Sequence, residues 1–336
     1  MSNKTIKVKP EQTPSSTLDH VLSESHAESM HVDHPFDEIL SSQRDFAPLP
    51  TAVVHPVDQN ALLGAVEAAE QNIIEPILVG PERKIRDAAE QHHLDLNGFK
   101  IVSTDHSHQS AEVAVSMVRE GAANALMKGK LHTDELMEAV IHKTTGLRTG
   151  RRMSHVFAMA VPTYHKILFL TDAAINIFPD LMTKKDIAQN AIDLFLSLDK
   201  GLPKVAIVSA VETVTERIPS TIDATALCKM ADRGQITNGL LDGPLGFDNA
   251  ISKAAAKAKG IESEVAGDAD IILVPDLESG NMLYKQMSFL SQVESAGVVL
   301  GARVPIILTS RATTSGLARL ASCALASIHY HRGMTV

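Results

Sequence analysis

Polar side chains with ligand-binding or catalytic chemistry stand directly after several short apolar runs of the sequence. They are Lys128, Asp172, Asp242, Asp276, Ser310 and Arg311. In open α/β sheets, ligands bind beyond the carboxyl ends of the strands, so residues in these places are candidates for binding or catalysis. Each of them taken alone also fits a turn or a helix cap. Sequence position therefore defines candidates and leaves the choice between function and structure open.

One of these positions combines two groups that bind anions. Ser310 and Arg311 follow an apolar run that begins at Pro305, and they precede a predicted helix over residues 314–330. The N-terminus of a helix presents unpaired backbone N–H groups, and a hydroxyl and a guanidinium beside it complete an anion site. We therefore predict that this pair binds a negatively charged group.

A second stretch places polar side chains just after the carboxyl end of one predicted strand. The strand ends in a loop at Asp276, and Gly280 permits a tight backbone beyond it. The polar side chains of this stretch are those of Asp276, Asn281, Tyr284 and Lys285. We predict that they contribute to substrate binding.

Residues 144–152 bring three arginines close together in the chain. Arg148, Arg151 and Arg152 fall within five positions, with two glycines and three threonines nearby. This composition fits either a loop that holds an anion or a solvated turn. Coenzyme A carries several phosphate charges, and such a loop near a domain junction could hold them.

Composition and absent motifs exclude several classes of function. The chain has 40 acidic and 31 basic side chains and a formal net charge of −9, which argues against a nucleic-acid surface. It contains neither a GxGxxG nor a GxxxxGKS/T nucleotide motif, and neither GxSxG nor HExxH. Cys228 and Cys323 lie in Ala/Leu-rich stretches, so we predict buried thiols and no disulfide framework.

The elements that must position these residues alternate between short β-branched runs and longer amphipathic stretches from residue 50 onward. This alternation predicts an α/β fold with a mostly parallel sheet and helices on both of its faces. The pattern changes near Ser154, where the apolar runs 156–161 and 167–170 are separated by five residues that suit a hairpin.

Residues 1–37 differ from the rest of the chain. They are rich in Ser, Glu, His and Pro and sustain no apolar period, so we predict a mobile extension. No apolar run approaches the roughly 20 residues of a membrane helix, and no apolar signal segment follows Met1. We therefore expect a cytoplasmic protein without a membrane partner.

Several segments together resemble the phosphate acetyl/butyryl transferase family. They are GLRTG at 146–150, MSHV at 153–156, LTDAAINI at 170–177, VPDL at 274–277 with GNM at 280–282, and ILTSRA at 307–312. The match is closer to the phosphate butyryltransferase branch. HTDELM at 132–137 and CKMADRGQI at 228–236 are similar to the catalytic half of proteins that carry an N-terminal enoyl-CoA hydratase-like domain, which residues 1–37 are too few to form. The resemblance covers residues 38–332.

The resemblance implies a two-domain fold related to isocitrate and isopropylmalate dehydrogenases. One domain is discontinuous and comprises residues 38–153 and 301–336, and residues 154–300 form the inserted second domain. The active cleft then lies between the two domains. The resemblance also implies a homodimer or larger homo-oligomer, with coenzyme A as substrate and product and no further cofactor.

Residue roles follow from the matched motifs. Arg311 is expected to bind phosphate or the developing oxyanion, and Ser310 to donate a hydrogen bond to the thiolate or the tetrahedral intermediate. Two departures stand out, because residues 313–317 contain no acid and Met137 stands where a phosphate-side arginine would fall. The expected substrate-binding residues near this helix and the arginine loop are Lys128, His132, Thr133 and Arg148.

The implied reaction converts acyl-CoA and inorganic phosphate to acyl phosphate and CoA. Phosphate is an oxyanion nucleophile and a thioester is an activated acyl donor, so positioning the two supplies much of the acceleration. We expect direct attack in a ternary complex, without a metal or an acyl-enzyme. The sequence leaves the acyl chain open between acetyl and butyryl.

Two other functions stay open. A metal-dependent decarboxylating dehydrogenase would need clustered carboxylates, and five aspartates crowd the second half of the chain: Asp242, Asp248, Asp268, Asp270 and Asp276. A non-catalytic protein that binds CoA or acyl-CoA is the other alternative, and Met137 and the missing acid motivate it.

Overall fold

The computed structural model describes residues 34–308 and 315–333. Its helices are α1 (Pro35–Gln43), α2 (Gln59–Glu70), α3 (Glu82–Gln91), α4 (Ser107–Arg119), α5 (Thr133–Ile141), α6 (Leu181–Ser197), α7 (Pro219–Asp232), α8 (Phe247–Ile251), α9 (Lys253–Ala258), α10 (Leu277–Leu290) and α11 (Gly316–His331). Its strands are β1 (Leu49–Val54), β2 (Ile74–Gly80), β3 (Lys100–Ser103), β4 (Ala125–Lys128), β5 (Ser154–Ala160), β6 (Leu168–Thr171), β7 (Lys204–Val208), β8 (Leu240–Leu245), β9 (Ile271–Leu273), β10 (Glu294–Leu300) and β11 (Ile306–Ile307).

These strands form one sheet in the order β3-β2-β1-β4-β11-β10-β5-β6-β9-β7-β8. The first five strands of this order pair in parallel, and so do the last four, β6-β9-β7-β8. Between the two parallel groups, β10 and β5 pair antiparallel to each other and to their neighbours. The sheet is therefore mostly parallel, as predicted, with an antiparallel seam at its centre.

The strand sequences are apolar on both faces because helices cover both faces of the sheet. In β1, Ala52, Val53 and Val54 are all buried, although successive side chains point to opposite sides. Val53 packs in one apolar cluster with α2 and α11, whereas Ala52 and Val54 pack in another with α4 and α5. A continuous apolar run of this kind is typical of a strand buried in a parallel sheet.

Two helix starts are capped by aspartate side chains. Asp58 precedes α2 and accepts a hydrogen bond from the backbone N–H of Ala61 at 3.0 Å. Asp276 precedes α10 and accepts one from the backbone N–H of Ser279 at 2.8 Å. Each carboxylate satisfies a backbone donor that the first helical turn leaves unpaired. The predicted hairpin is confirmed as well, because β5 and β6 pair antiparallel.

Three elements were missed by the sequence patterns. Helix α1 begins at Pro35 and buries Phe36 and Ile39, so ordered structure starts before the predicted boundary at residue 38. Helix α6 was not predicted. Polar residues such as Asn190 lie on its buried face, so the sequence lacks a regular apolar period there. Strand β10 was also not predicted. It contains Gly297, where a Cβ atom would lie 2.8 Å from His155 Nε2 and 2.6 Å from the Leu308 carbonyl oxygen.

The remaining predictions concern the ends, the thiols and membranes. The predicted mobile extension falls on residues that the structure does not describe, apart from residues 34–37. Cys323 is fully buried and Cys228 is half-buried, and burial raises the pKa of each thiol to about 12. In the described ranges, every helix is too short or too polar to cross a membrane.

Candidate functional site

A cleft of about 620 Å³ opens along α5, beside the amino end of β5 and the carboxyl end of β6. One wall is α5, the second is the arginine loop at 148–153, and the third is the turn at 174–176 that follows β6. Strands β4 and β11 pair in parallel, so Lys128 at the end of β4 and Leu308 just after β11 lie toward the opposite edge of the sheet. The cleft itself lies beyond the carboxyl end of β6, and the ends of parallel strands are where ligands of α/β sheets bind.

The arginine loop gives the cleft its positive charge. The Thr149 hydroxyl donates to the Gly301 carbonyl at 2.6 Å, and Arg148 forms an isolated bridge with Ala302, so the loop is fastened to the segment after β10. Arg151 forms an ion pair with Asp193 of α6. Within the described ranges, Arg148 and Arg152 make no ion pair, and both line the cleft. Two guanidinium groups are thus available to an anionic ligand.

The turn opposite the arginines is held by Asp172. Its carboxylate accepts hydrogen bonds from the backbone N–H groups of Ala174, Ile175 and Asn176 at 3.0, 3.1 and 3.0 Å, and from Asn176 Nδ2 at 2.7 Å. Asn176 Nδ2 also donates to the Met153 carbonyl at 2.8 Å. Burial raises the pKa of the Asp172 carboxyl, and these hydrogen bonds oppose that shift. Asp172 is 3% exposed, so it shapes the cleft wall without facing a ligand.

The next expected residues lie at the end of β4 and at the start of α5. Lys128 ends β4 and its Nζ donates to the Gly129 carbonyl at 3.2 Å. His132 occupies the N-cap position and is exposed, and Thr133 lines the cleft together with Met137. Met137 is therefore an apolar group inside the cleft, at the position where the family resemblance leads one to expect an arginine.

The expected residues on α10 divide into two groups. Asp276 caps the helix, and Asn281 Nδ2 donates to the Ala173 carbonyl at 3.1 Å, which ties α10 to the turn held by Asp172. Tyr284 instead lies in the core, where its ring stacks on Phe157 with centroids 3.9 Å apart and its hydroxyl meets Ser295 Oγ at 3.1 Å. Lys285 is exposed on α10 and does not line the cleft.

Ser310 and Arg311 lie outside the described residues. The structure describes the chain up to Leu308 and again from Ser315. Ser315 caps α11 and accepts from the Ala318 backbone N–H at 3.4 Å. On the other side, His155 is fully buried and its Nε2 lies 3.4 Å from the Leu308 carbonyl oxygen. Burial lowers the pKa of His155 to about 4, so the ring is neutral at pH 7 and Nε2–H donates to Leu308.

Some cleft residues were quoted in the sequence motifs without being chosen as site residues. They are Met153 in MSHV, with Ala174, Ile175 and Asn176 in LTDAAINI. Neither segment carries a charged group that faces the cleft, so residue type alone did not single them out. Their shared signal was membership of the two motifs that flank the hairpin.

The five crowded aspartates have separate structural roles. Asp268 and Asp270 form ion pairs with Lys166, and Asp268 also pairs with Lys204. Asp276 caps α10, Asp242 accepts from the Gly243 backbone N–H, and Asp248 lies 3.6 Å from Lys259. Among the described residues, no group of three or more His, Cys, Asp or Glu side chains is arranged to hold a metal ion.

A mostly parallel, helix-covered sheet with an arginine-lined cleft beside the end of β6 defines an α/β protein with a candidate anion-binding site. Residues 107–319 match the family model described as "Phosphate acetyl/butaryl transferase". A phosphate acetyltransferase of Rhizobium meliloti is 59% identical over 297 residues, which span 88% of this chain and 94% of that protein. This chain therefore belongs to the phosphate acetyl/butyryl transferase family, as the sequence motifs predict.

Two further proteins extend the comparison. A phosphate butyryltransferase of Clostridium beijerinckii is 40% identical over 277 residues, or 82% of this chain and 92% of that protein. The crystal structure of a branched-chain phosphotransacylase from Enterococcus faecalis V583 superposes with a TM-score of 0.72 at 27% identity, covering 84% of this chain and 99% of that one. Relatives with different acyl names thus share this fold and much of this sequence.

Proposed function

We propose that this protein is a phosphate acyltransferase that converts a short-chain acyl-CoA and inorganic phosphate to acyl phosphate and CoA. The observation that carries the proposal is the arginine-lined cleft in a chain of this family, because Arg148 and Arg152 line it without an ion-pair partner among the described residues. The likeness to the phosphate acetyltransferase of Rhizobium meliloti, at 59% identity, supports the same reaction.

In the proposed mechanism, a phosphate oxygen attacks the thioester carbonyl carbon in a ternary complex. Arg148 and Arg152 hold the phosphate charges of the substrates, with Lys128, His132 and Thr133 at the edge of the same site. A tetrahedral oxyanion forms, the carbon–sulfur bond breaks, and CoA leaves as a thiolate. Since phosphate at pH 7 is already an oxyanion, the attack requires no acyl-enzyme.

Ser310 and Arg311 are the proposed catalytic pair. Arg311 binds the attacking phosphate or the oxyanion, and Ser310 donates a hydrogen bond to the intermediate or the departing sulfur. A preorganised donor aimed at such an oxyanion is worth about 3–4 kcal/mol of transition-state stabilisation. The hydrogen bond from His155 holds the carbonyl of Leu308, two residues before Ser310 in the chain.

We also propose the two-domain division for this chain, with residues 38–153 and 301–336 in one domain and 154–300 in the other. The order of strands supports it, since one parallel group consists of β1–β4 and β11 and the other of β6–β9. The antiparallel seam of β10 and β5 then joins the domains, and the cleft between α5 and the turn after β6 lies between them. This arrangement is the one expected of a dehydrogenase-like fold.

Assembly into a homodimer or larger homo-oligomer stays a prediction, and so does the cytoplasmic location. Large apolar side chains exposed on one helix favour self-association, because such groups gain free energy when another surface covers them. On α10 they are Met282, Phe289 and Leu290, and Phe178 is exposed in the segment before α6. No cofactor besides CoA, itself a substrate, is proposed.

The deciding experiment is CoA release from acetyl-, propionyl- and butyryl-CoA, followed with a thiol reagent in the presence and absence of inorganic phosphate. Phosphate-dependent release supports the acyltransferase and ranks its acyl chains. Release that does not depend on phosphate indicates a hydrolase. Tight CoA binding without any release favours the non-catalytic alternative, for which Met137 in the cleft is the specific observation.

A further inference from the structure

The cleft has an apolar wall that the phosphate groups of its proposed substrates do not require. Met137 and Ile141 of α5 line it, together with Met153 and Ile175. All four are partly or largely exposed to the cleft or solvent in the described chain. A ligand that covered them would gain free energy in proportion to the apolar area removed from water.

Three of these side chains rest on one common support. Met137, Met153 and Ile175 are partly buried and pack against the apolar cluster that contains Leu136, Val140 and Leu147, and Leu308 packs against the same cluster. Leu308 stands two residues before Ser310 in the chain. The apolar wall and Leu308 therefore pack against the same cluster.

We propose that Met137 and Ile175, with Met153 beside them, form the pocket for the acyl chain and set its length preference. This inference rests on the proposed acyltransferase function. The phosphates of CoA and the attacking phosphate need cationic partners, which the arginine loop provides. The thioester carbonyl needs hydrogen-bond donors, so the acyl chain is the part of the reacting group that an apolar wall fits.

The identity of the residues suggests which chains are accepted. Met137 and Met153 carry flexible thioether side chains, and methionine adapts its shape to gaps of different size. A wall built from these two methionines and Ile175 can therefore close around a short chain and open for a longer one. We infer that the site accepts straight acyl chains beyond acetyl, up to about four carbons, instead of acetyl alone.

The experiment compares kcat/KM for butyryl-CoA with kcat/KM for acetyl-CoA in the purified full-length protein and its variants. Ile175→Phe and Met137→Phe fill the wall, and each is expected to lower the butyryl-to-acetyl ratio about tenfold or more, since one methylene in an apolar pocket changes discrimination by roughly 10–200-fold. Ile175→Ala enlarges the pocket and is expected to raise the ratio for hexanoyl-CoA over acetyl-CoA.

Val113→Ala is the matched control. Val113 packs against the same apolar cluster from α4 but does not line the cleft. This variant measures the effect of loosening the support alone, and its ratio should equal that of the unmodified protein. Circular dichroism and thermal unfolding of each variant show whether a phenylalanine substitution has unfolded the chain, in which case Ile175→Ala decides.

The outcomes separate the pocket from the reaction. Variants that change kcat/KM for all chain lengths by one common factor would overturn the pocket, because the wall would then contact the shared CoA portion. If the unmodified protein shows no phosphate-dependent release, the proposed reaction is wrong. Calorimetric Kd values for acetyl- and butyryl-CoA then test the pocket directly, and a Kd ratio that Ile175→Phe leaves unchanged would refute it.

Discussion

The two edges of the parallel strands β6, β9 and β7 both collect charged side chains, yet they treat them differently. At the amino ends, Lys166 and Lys204 pair with Asp268 and Asp270 at distances of 2.5–3.0 Å. Beside the carboxyl end of β6, Arg148 and Arg152 line a cleft without a described ion-pair partner, although Asp134 and Asp186 line the same cleft. Charged side chains thus collect at both edges, and the two unpaired guanidinium groups distinguish the candidate site.

The paired edge also shows what compensation does to a titrating group. Burial opposes ionisation of Asp268, but hydrogen bonds and charges from Lys204 and Lys166 outweigh it and hold the pKa of this carboxyl well below its usual range. Charges that are matched in this way stabilise the fold and have little left to offer a ligand. An unmatched guanidinium keeps its hydrogen-bonding capacity for a substrate.

The largest expected effect comes from removing an unmatched charge. Arg148→Gln should lower kcat/KM for phosphate-dependent CoA release by about 10²–10³-fold, because a charged donor to the substrates or intermediate is lost. Arg148 is exposed, so stability should change little. Arg83→Gln on α3 is the control, since Arg83 is 93% exposed and makes only a 3.8 Å contact with Asp87. A loss below about threefold at Arg148 would contradict its assignment to the site.

The paired edge should respond to substitution with a loss of stability. Asp268→Asn removes the shared counterion of Lys166 and Lys204 and should lower the free energy of unfolding by about 1–3 kcal/mol, measured by urea denaturation at pH 7. Activity per folded molecule should stay constant. Asp232→Asn is the control, because its pair with Lys229 is exposed and contributes little. Equal losses in both variants would undermine the contrast between the edges.

Different groups should make the free energy of unfolding depend on pH in different pH ranges. The fold keeps His155 neutral, with a pKa of about 4 against 6.5 in the unfolded chain, so the unfolded state binds an extra proton between these values and stability falls as pH falls through them. The free energy of unfolding changes by about 1.4 kcal/mol per pH unit for each such group. Burial also lowers the pKa of His329 to about 4, so His329 adds an equal loss of stability in this pH range.

His155→Asn should therefore lose about 2 kcal/mol less than the unmodified protein between pH 7 and pH 5 in urea denaturation. Asp268 acts in a different window, because its low pKa stabilises the fold above about pH 3.9 and this contribution is lost as pH falls through the folded-state value. The deficit of Asp268→Asn should accordingly stay constant from pH 7 to pH 5. A deficit that changes in that range would contradict a folded-state pKa of Asp268 below its usual range.

The smallest expected effect concerns Tyr284, which the sequence placed at the site and the structure places in the core. Tyr284→Phe removes the hydrogen bond with Ser295 and should cost about 1 kcal/mol of stability. The KM for acyl-CoA should not change, because the ring still stacks on Phe157. A KM that rises fivefold or more would return this residue to the binding site.

Local patterns predicted most of the fold because their physics is local. The alternation of β-branched and amphipathic stretches predicted the parallel strands, and the short connection after residue 161 predicted the β5–β6 hairpin. Asp276 was predicted to bind substrate, with a helix cap as the open alternative, and it caps α10. Strand β10 was not predicted because Gly297 interrupts its apolar run. A glycine is needed there because a Cβ atom would clash with His155, 142 residues earlier in the chain.

Residue types at short spacing were enough to predict the fold class, the family and the arginine loop. Which candidate residues come together depends on contacts between distant parts of the chain. Thr133 and Arg148 share one cleft with Met137 and Ile175, whereas Asp172 turns inward to hold backbone N–H groups and Tyr284 packs in the core. The reason is that a strand-ending polar residue can face a ligand or satisfy buried donors, and long-range packing makes that choice.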